Sequence, residues 1–306
     1  MSRWRRATFS IRGLLVLILV VGVALGAWFV PYRRYRRQVD LASMLVARQT
    51  YFRGDGNPIV ETRPCWQARL IGDKRTGPLT VLRVYGPLSG EEIARVAEFR
   101  DLEVLSFCSI IDPKGDGLAP LAGLPSLRSL DLTGGSLGAG WKDSDLSALK
   151  DFRHLEELTI FEDGFTDAGL AHLGEMTGLR KLTLYCGYRT DASLAFLGRM
   201  KGLRSLSLLG SSATDAILDT VRPLPHLERL ELTDIPITDD GLSRLVGLDR
   251  LEFLRIFNAK IDGRGLASLA RLPRLRELRL EFNNDLKDAA VDELKKALPV
   301  TKVEVE

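Results

Sequence analysis

An α/β solenoid of short parallel strands and helices is the fold this sequence predicts, and two observations predict it. The first is a period. From Phe152 to Arg271 a 24-residue unit recurs five times, as FRHLEELTIFEDGFTDAGLAHLGE, MTGLRKLTLYCGYRTDASLAFLGR, MKGLRSLSLLGSSATDAILDTVRP, LPHLERLELTDIPITDDGLSRLVG and LDRLEFLRIFNAKIDGRGLASLAR. The second is the pattern within it: Leu155, Leu179, Leu203, Leu227 and Leu251 each open an LxxLxL, and an apolar pair such as Leu170 and Leu173 follows. A period of roughly 20 to 29 residues with that pattern gives a strand and a helix per unit, stacked because no unit buries its leucines alone.

Taken in order, the chain opens on a basic tail, residues 1–12, followed by 18 residues from Gly13 to Val30 without a charged or polar side chain. That length just suffices for a helix across a bilayer, and Trp4, Phe9, Trp28, Tyr32 and Tyr35 flank it as interfacial anchors. The reading is a transmembrane helix over 13–30 in contact with lipid. A cleaved signal peptide ending near Ala24-Leu25-Gly26 is the competing reading, but the apolar run continues past that site into an arginine cluster. Arg3, Arg5, Arg6 and Arg12 nearly balance Arg33, Arg34, Arg36 and Arg37 across the span. A short basic N-terminus that stays in the cytoplasm leaves the rest of the chain extracytoplasmic. Gly22 and Gly26 form a GxxxG pair through which two such helices could dimerise.

Residues 31–50 carry Val39, Ala42, Leu45 and Val46 at helical spacing and are expected to form a juxtamembrane helix. Residues 51–78 are rich in Gly and Pro and have no clear period. A solenoid must cover the leucines of its first unit, so this stretch is read as an N-terminal cap with Trp66 and Leu70 as the plug. The array then fills 79–306. Its strands begin at Leu79, Leu102 and Leu127, continue through the five regular copies, and end at Leu275 and Val300, about ten strands in all. In the last of them Lys302, Glu304 and Glu306 alternate, which discourages further strand pairing at an edge.

Between strands, Thr-Asp precedes each apolar pair and sets Asp167, Asp191, Asp215 and Asp239 in one column. A carboxylate array for calcium or for acid/base work is one reading. The favoured one is capping, because a side-chain oxygen there accepts from free backbone N–H groups and a negative charge suits a helix N-terminus.

Little else points to chemistry, so the chain is read as a non-enzyme without cofactor or metal. His154, His172 and His226 lie on different loops and helices and cannot converge. Cys65, Cys108 and Cys186 make no ligand or redox motif. The stretch Gly134–Asp145 contains Gly138-x-Gly140 but lacks the third glycine and the strand–helix context of a phosphate loop. It fits better as the insertion of a 28-residue unit, a rim loop carrying an exposed Trp141. The 43 basic and 40 acidic residues leave a formal charge of +3. So small an excess argues against a nucleic-acid partner.

The unit LxxLxLxxxxxTDxxLxxLxxL resembles the ribonuclease-inhibitor-like leucine-rich repeats of F-box adapters and many bacterial proteins, over roughly three quarters of the chain. The FSIRGLLVLILV run with its arginine-rich exit is similar to the N-termini of bacterial membrane-anchored proteins with such repeats. The resemblance implies a horseshoe with strands on the concave face, helices on the convex face, and partner binding as its role. The third residue after each LxL is Asp163, Gly187, Ser211, Ile235, Ala259 or Asn283, so the asparagine ladder of other subclasses is absent. No F-box-like segment precedes the array.

The expected function is a membrane-tethered scaffold for a protein ligand. An enzyme with a site in the cap or loops, or a secreted repeat protein after signal cleavage, is the alternative. In LxxLxL the leucines point inward and the residues between and after them face the concave side. One column there reads Tyr85, Cys108, Thr133, Phe161, Tyr185, Leu209, Thr233, Phe257 and Glu281. Its large members, Tyr85, Phe161, Tyr185, Leu209 and Phe257, flanked by charges such as Arg255, Glu231, Lys181 and Glu162, form the candidate binding surface.

Overall fold

The computed structural model describes residues 60–62, 79–84, 90–107, 117–133, 141–161 and 164–305. The chain divides into two compact units, 1–50 with 62–79 and 51–61 with 80–306. The second contains nearly all the described residues. The expected transmembrane span with Gly22 and Gly26, the juxtamembrane helix and the plug residues Trp66 and Leu70 lie outside them. Among the described residues no helix is long and apolar enough to cross a membrane.

One open sheet runs in strict sequence order, β1 (Val60–Thr62), β2 (Leu79–Val84), β3 (Val104–Phe107), β4 (Ser129–Leu132), β5 (Glu157–Ile160), β6 (Lys181–Tyr185), β7 (Ser205–Leu209), β8 (Arg229–Thr233), β9 (Phe253–Phe257), β10 (Glu277–Glu281) and β11 (Lys302–Val305). From β2 to β11 every neighbouring pair is parallel. These are the ten strands that the LxxLxL spacing predicts, and the architecture is a leucine-rich-repeat solenoid. β1 falls in the aperiodic stretch read as a cap, where no alternation announced a strand.

The register follows the leucines. Leu158, Leu182, Leu206, Leu230, Leu254 and Leu278 sit opposite one another on successive strands, all fully buried. A one-residue slip would turn this whole row out to solvent, so the pattern fixes the pairing. Just ahead of the strands the backbone continues the ladder, Arg180 N–H to Glu156 O, Arg204 to Arg180, Glu228 to Arg204 and Glu252 to Glu228, each at 2.8 Å. The 24-residue period is thereby converted into one hydrogen-bonded layer per unit.

The return segments are helical but short: α1 (Gly90–Val96), α2 (Asp143–Ala148), α3 (Asp167–Ala171), α4 (Ala216–Val221), α5 (Asp239–Leu242) and the longer α6 (Asp288–Ala297). In the units of Ala195–Arg199 and Leu266–Arg271 the return is a 3-10 turn alone. Helices of one to two turns have no stability of their own. They are held by the side chains they bury, such as Leu170 and Leu173 or Leu242 and Leu245.

The Thr-Asp pairs do more than cap. Thr166 does cap α3, its hydroxyl accepting from the Gly169 N–H at 3.3 Å. Three of the four motif aspartates, Asp191, Asp215 and Asp239, bind the next unit. Asp191 accepts from the N–H and hydroxyl of Thr214 at 3.0 and 2.8 Å, and Asp215 from those of Thr238 at 2.9 and 2.6 Å. Asp239 accepts from the N–H groups of Asp262, Gly263 and Gly265, and Asp143 serves Thr166 in the same way. For Asp191, Asp215 and Asp239 the capping expectation is corrected to a ladder between repeats, while Asp167 stands in the first turn of α3. Glycine two residues after the motif aspartate makes room: a Cβ on Gly169 would lie 2.1 Å from the Asp143 carboxylate, and one on Gly241 2.1 Å from that of Asp215. Where Ser193 takes that place, its hydroxyl lies 3.5 Å from that of Thr190. Asp191 still reaches Thr214 with Ile217 there, so only part of the ladder depends on glycine.

Candidate binding face on the sheet

Along β5 to β11 the leucines fill one side of the sheet and three columns of side chains cover the other. The column ending each strand brings Phe161, Tyr185, Leu209, Thr233, Phe257 and Glu281 side by side, as their spacing predicts. Tyr185, Leu209, Thr233, Phe257 and Glu281 are direct strand partners. Tyr85, Cys108 and Glu162 lie outside the described residues.

Phe161 and Tyr185 are each 37% exposed, and their rings lie parallel, 13° apart with centroids at 5.8 Å. An offset stack of this kind is a favourable aromatic geometry. The stack places one ring face against the other and leaves both residues part-exposed. Gly210 at φ +60° comes so near Tyr185 that a Cβ there would lie 3.3 Å from the ring. Beside the rings the middle column carries Thr159, Thr183 and Ser207, all half-buried. The block of β5 to β7 in these two columns therefore contains hydroxyl and apolar groups and no charge.

Farther along, the face is a lattice of paired charges. Arg229 meets Glu231 at 2.7 Å, Arg255 meets Glu281, and Arg279 spans Glu277 and Glu304. Lys302 pairs with Glu304, and at the margin of the uncharged block Lys181 meets Glu157 at 3.8 Å. Arg255 holds the Glu281 carboxyl below its ordinary range, chiefly through their hydrogen bond, and Glu281 in turn raises Arg255. The flanking charges Arg255 and Glu231 are thus engaged within the sheet. Phe253, outside the strand-end column, is 6% exposed because Arg229 lies 3.4 Å above its ring and Arg279 5.7 Å away. At the N-terminal side, burial raises the Asp131 carboxyl and the charge of Arg83 opposes the rise.

Phe257 is half-buried, with the Arg255 guanidinium 5.0 Å from its ring and Phe282 4.8 Å beyond. Phe282, 57% exposed, and Tyr188, 96% exposed, are large side chains on this rim that the sequence reading missed. Both stand just past a strand end, where the alternation that sorts inward from outward residues has stopped. Cys186, next to Tyr185, faces inward, and burial pushes its thiol up to about 12.

Trp141 is the clear correction. Expected as an exposed rim residue, it is 2% exposed, with its indole edge-on to Phe107 at 5.1 Å and 65°. It stands just ahead of Lys142, the residue that opens α2, where turning inward buries a large ring that a loop would leave wet. His172 lies in the 3-10 turn of the return side, and His154 and His226 in turns ahead of β5 and β8, so the three stand apart.

The repeat matches the family described as Leucine Rich repeat over residues 224–246, the unit that contains β8. No curated protein matches the chain. Among solved structures it is similar to internalin inlF from Listeria monocytogenes str. 4b F2365, at 17% identity over 73% of this chain and 66% of that one, with a TM-score of 0.47. Internalin C2 from the same strain is similar at 20% identity over 74% and 81%, with a TM-score of 0.41. A TLR13–ssRNA13 complex is similar at 17% identity over 72% and 36%, with a TM-score of 0.47.

Proposed function

We propose that this protein is a scaffold for protein–protein interaction, that its binding surface is the strand face around Phe161, Tyr185 and Leu209, and that residues 13–30 tether it to a membrane. The observation that carries the binding surface is the stacked, part-exposed pair Phe161 and Tyr185. Aromatic side chains on a rigid sheet make large contacts while losing little conformational freedom, which is why they serve as anchors. Phe257 and Phe282 form a second aromatic contact farther along, tilted at 46°. The tether rests on the uncharged run Gly13–Val30, its arginine flanks and its aromatic anchors. The basic tail favours a cytoplasmic N-terminus with the repeats extracytoplasmic, and Gly22 with Gly26 offers a dimer contact.

Affinity capture with the full chain tests the surface. The double variant Phe161→Ala, Tyr185→Ala should lose the proteins that wild type retains, whereas Lys150→Ala on the return side should keep them. Loss with Lys150→Ala and retention with the double variant would move the surface to the other side of the solenoid. For the tether, a product found only in the soluble fraction and shortened by about 26 residues would replace a membrane helix with a cleaved signal. Labelling single cysteines in the repeats with an impermeant reagent gives the orientation, and labelling only after lysis would reverse it.

A further inference from the structure

The chemistry of this face identifies the kind of partner it takes. Resting on the reading that the strand face binds protein, we infer that the block of Thr159, Phe161, Thr183, Tyr185, Ser207 and Leu209 receives an uncharged stretch of polypeptide bearing aliphatic or proline side chains. Three features of the block lead there.

The first is electrostatic. Within β5 to β7 these two columns hold no charge, and the ions at their margins are countered: Asp131, the strand partner of Thr159, feels the charge of Arg83, Glu231, the strand partner of Ser207, pairs with Arg229, and Lys181 pairs with Glu157. Farther along the face the arginines of β8 to β10 are already matched by carboxylates. An acidic or basic segment would exchange its hydration for a surface whose own field cancels, and beyond about 8 to 10 Å nothing would steer it in. An uncharged segment pays no such desolvation.

The second is the arrangement of the rings. A sugar or a nucleobase binds aromatic side chains by lying on an open π face. Here Phe161 and Tyr185 each turn one face to the other, with centroids at 5.8 Å, so neither ring is open on both sides. With Leu209, the strand partner of Tyr185, the pair makes an apolar ridge, which suits the methylenes of aliphatic and proline side chains.

The third is the hydroxyl row. Thr159, Thr183 and Ser207 stand on adjacent strands beside the ridge, in the register of the sheet. Each hydroxyl can donate or accept as its partner requires. A peptide backbone presents N–H and C=O groups in alternation and can use such a row wherever it lies, so side chains on the ridge and backbone over the hydroxyls describe one bound segment.

Panning a phage-displayed library of random peptides on the immobilised full chain tests the inference, followed by titration of the enriched peptides as synthetic molecules. Enriched peptides should carry no net charge and be rich in aliphatic residues and proline. Their affinity should change less than about twofold between about 0.05 and 0.5 M salt. Phe161→Ala or Tyr185→Ala should weaken them about fivefold or more, as loss of an anchor does. Thr183→Val, which removes a hydroxyl while keeping the shape, should weaken them by a smaller factor. Charged, salt-sensitive peptides that still depend on Phe161 would overturn the inferred chemistry and leave the binding face standing. Peptides indifferent to both aromatic variants, or no enrichment at all, would overturn the inference. Binding of a single-stranded RNA oligomer or a soluble glucan that is lost with Phe161→Ala would also overturn it, in favour of a stacking ligand.

Discussion

Asp215 accepts two hydrogen bonds from Thr238 of the following repeat, from its N–H at 2.9 Å and from its hydroxyl at 2.6 Å. The contact joins neighbouring layers on the side away from the binding face, where short helical turns supply little cohesion of their own. Replacing Asp215 with Ala leaves that N–H without its charged acceptor, and should destabilise the fold by about 1 to 3 kcal/mol in chemical denaturation. Gly241→Ala should also destabilise, because its Cβ would lie 2.1 Å from the Asp215 carboxylate. If the clash is the cause, the glycine substitution costs less in the Asp215→Ala background. Additive effects in a double-mutant cycle would show that Gly241 is required for another reason.

Leu206 stands at the centre of the buried row, between Leu182 and Leu230. Leu206→Ala should cost about 2 to 5 kcal/mol, combining lost transfer energy with a cavity that flanking strands cannot close. The loss should appear as one cooperative transition shifted to lower denaturant, since neighbouring repeats share the core. A shift below about 1 kcal/mol would contradict the observed burial.

The array was legible in the sequence because each strand repeats the same binary choice. Leu158 through Leu278 recur in register, and the strand-end column from Tyr185 to Glu281 is set by the same alternation. Where alternation ends, so did legibility. Phe282 and Tyr188 lie beyond strand ends, and Trp141 belongs to a unit whose insertion broke the spacing. The pairing of Arg229 and Arg279 around Phe253 was hidden as well, because long side chains reach across strands in ways that strand position does not specify. The aspartate column was visible, but its target was not: a residue that could cap its own helix bonds instead to the next repeat, and only the stacking distance decides between them. A single asparagine, Asn283, plays the ladder part, accepting from Ala259 N–H at 2.9 Å and donating to Ile256 O at 3.1 Å.

The pair of Arg255 and Glu281 gives the face a pH dependence. The folded state lowers the Glu281 pKa, first through the Arg255 hydrogen bond. A carboxyl depressed on folding contributes stability that is present above its unfolded pKa and lost as pH falls through its folded one. The contribution is therefore complete at neutral pH and disappears below the ordinary glutamate range. Glu281→Gln should be less stable than wild type at pH 7, and the gap should narrow as the two are melted at progressively more acidic pH. A gap that stayed constant into strong acid would assign the difference to shape and hydrogen bonding alone.

Phe282 adopts φ +55°, in a column where the corresponding residues are Gly210 at +60°, Asp234 at +56° and Asn258 at +51°. The left-handed region crowds Cβ against the backbone, costing roughly 1 to 2 kcal/mol for most side chains, and short polar residues tolerate it best. The tight turn after β10 needs that conformation, and phenylalanine is the one large side chain among these four. Its ring recovers part of the cost by packing 4.8 Å from Phe257, yet 57% of the residue is exposed. Phe282→Asn should leave stability within about 1 kcal/mol of wild type, because asparagine tolerates the backbone that phenylalanine strains. Phe282→Val should be worse than Phe282→Asn by about 1 kcal/mol or more, since a β-branched side chain fits this region least. Equilibrium denaturation of both variants decides it: Val as stable as Asn would mean that the turn relaxes out of the left-handed conformation and that no strain is held at Phe282.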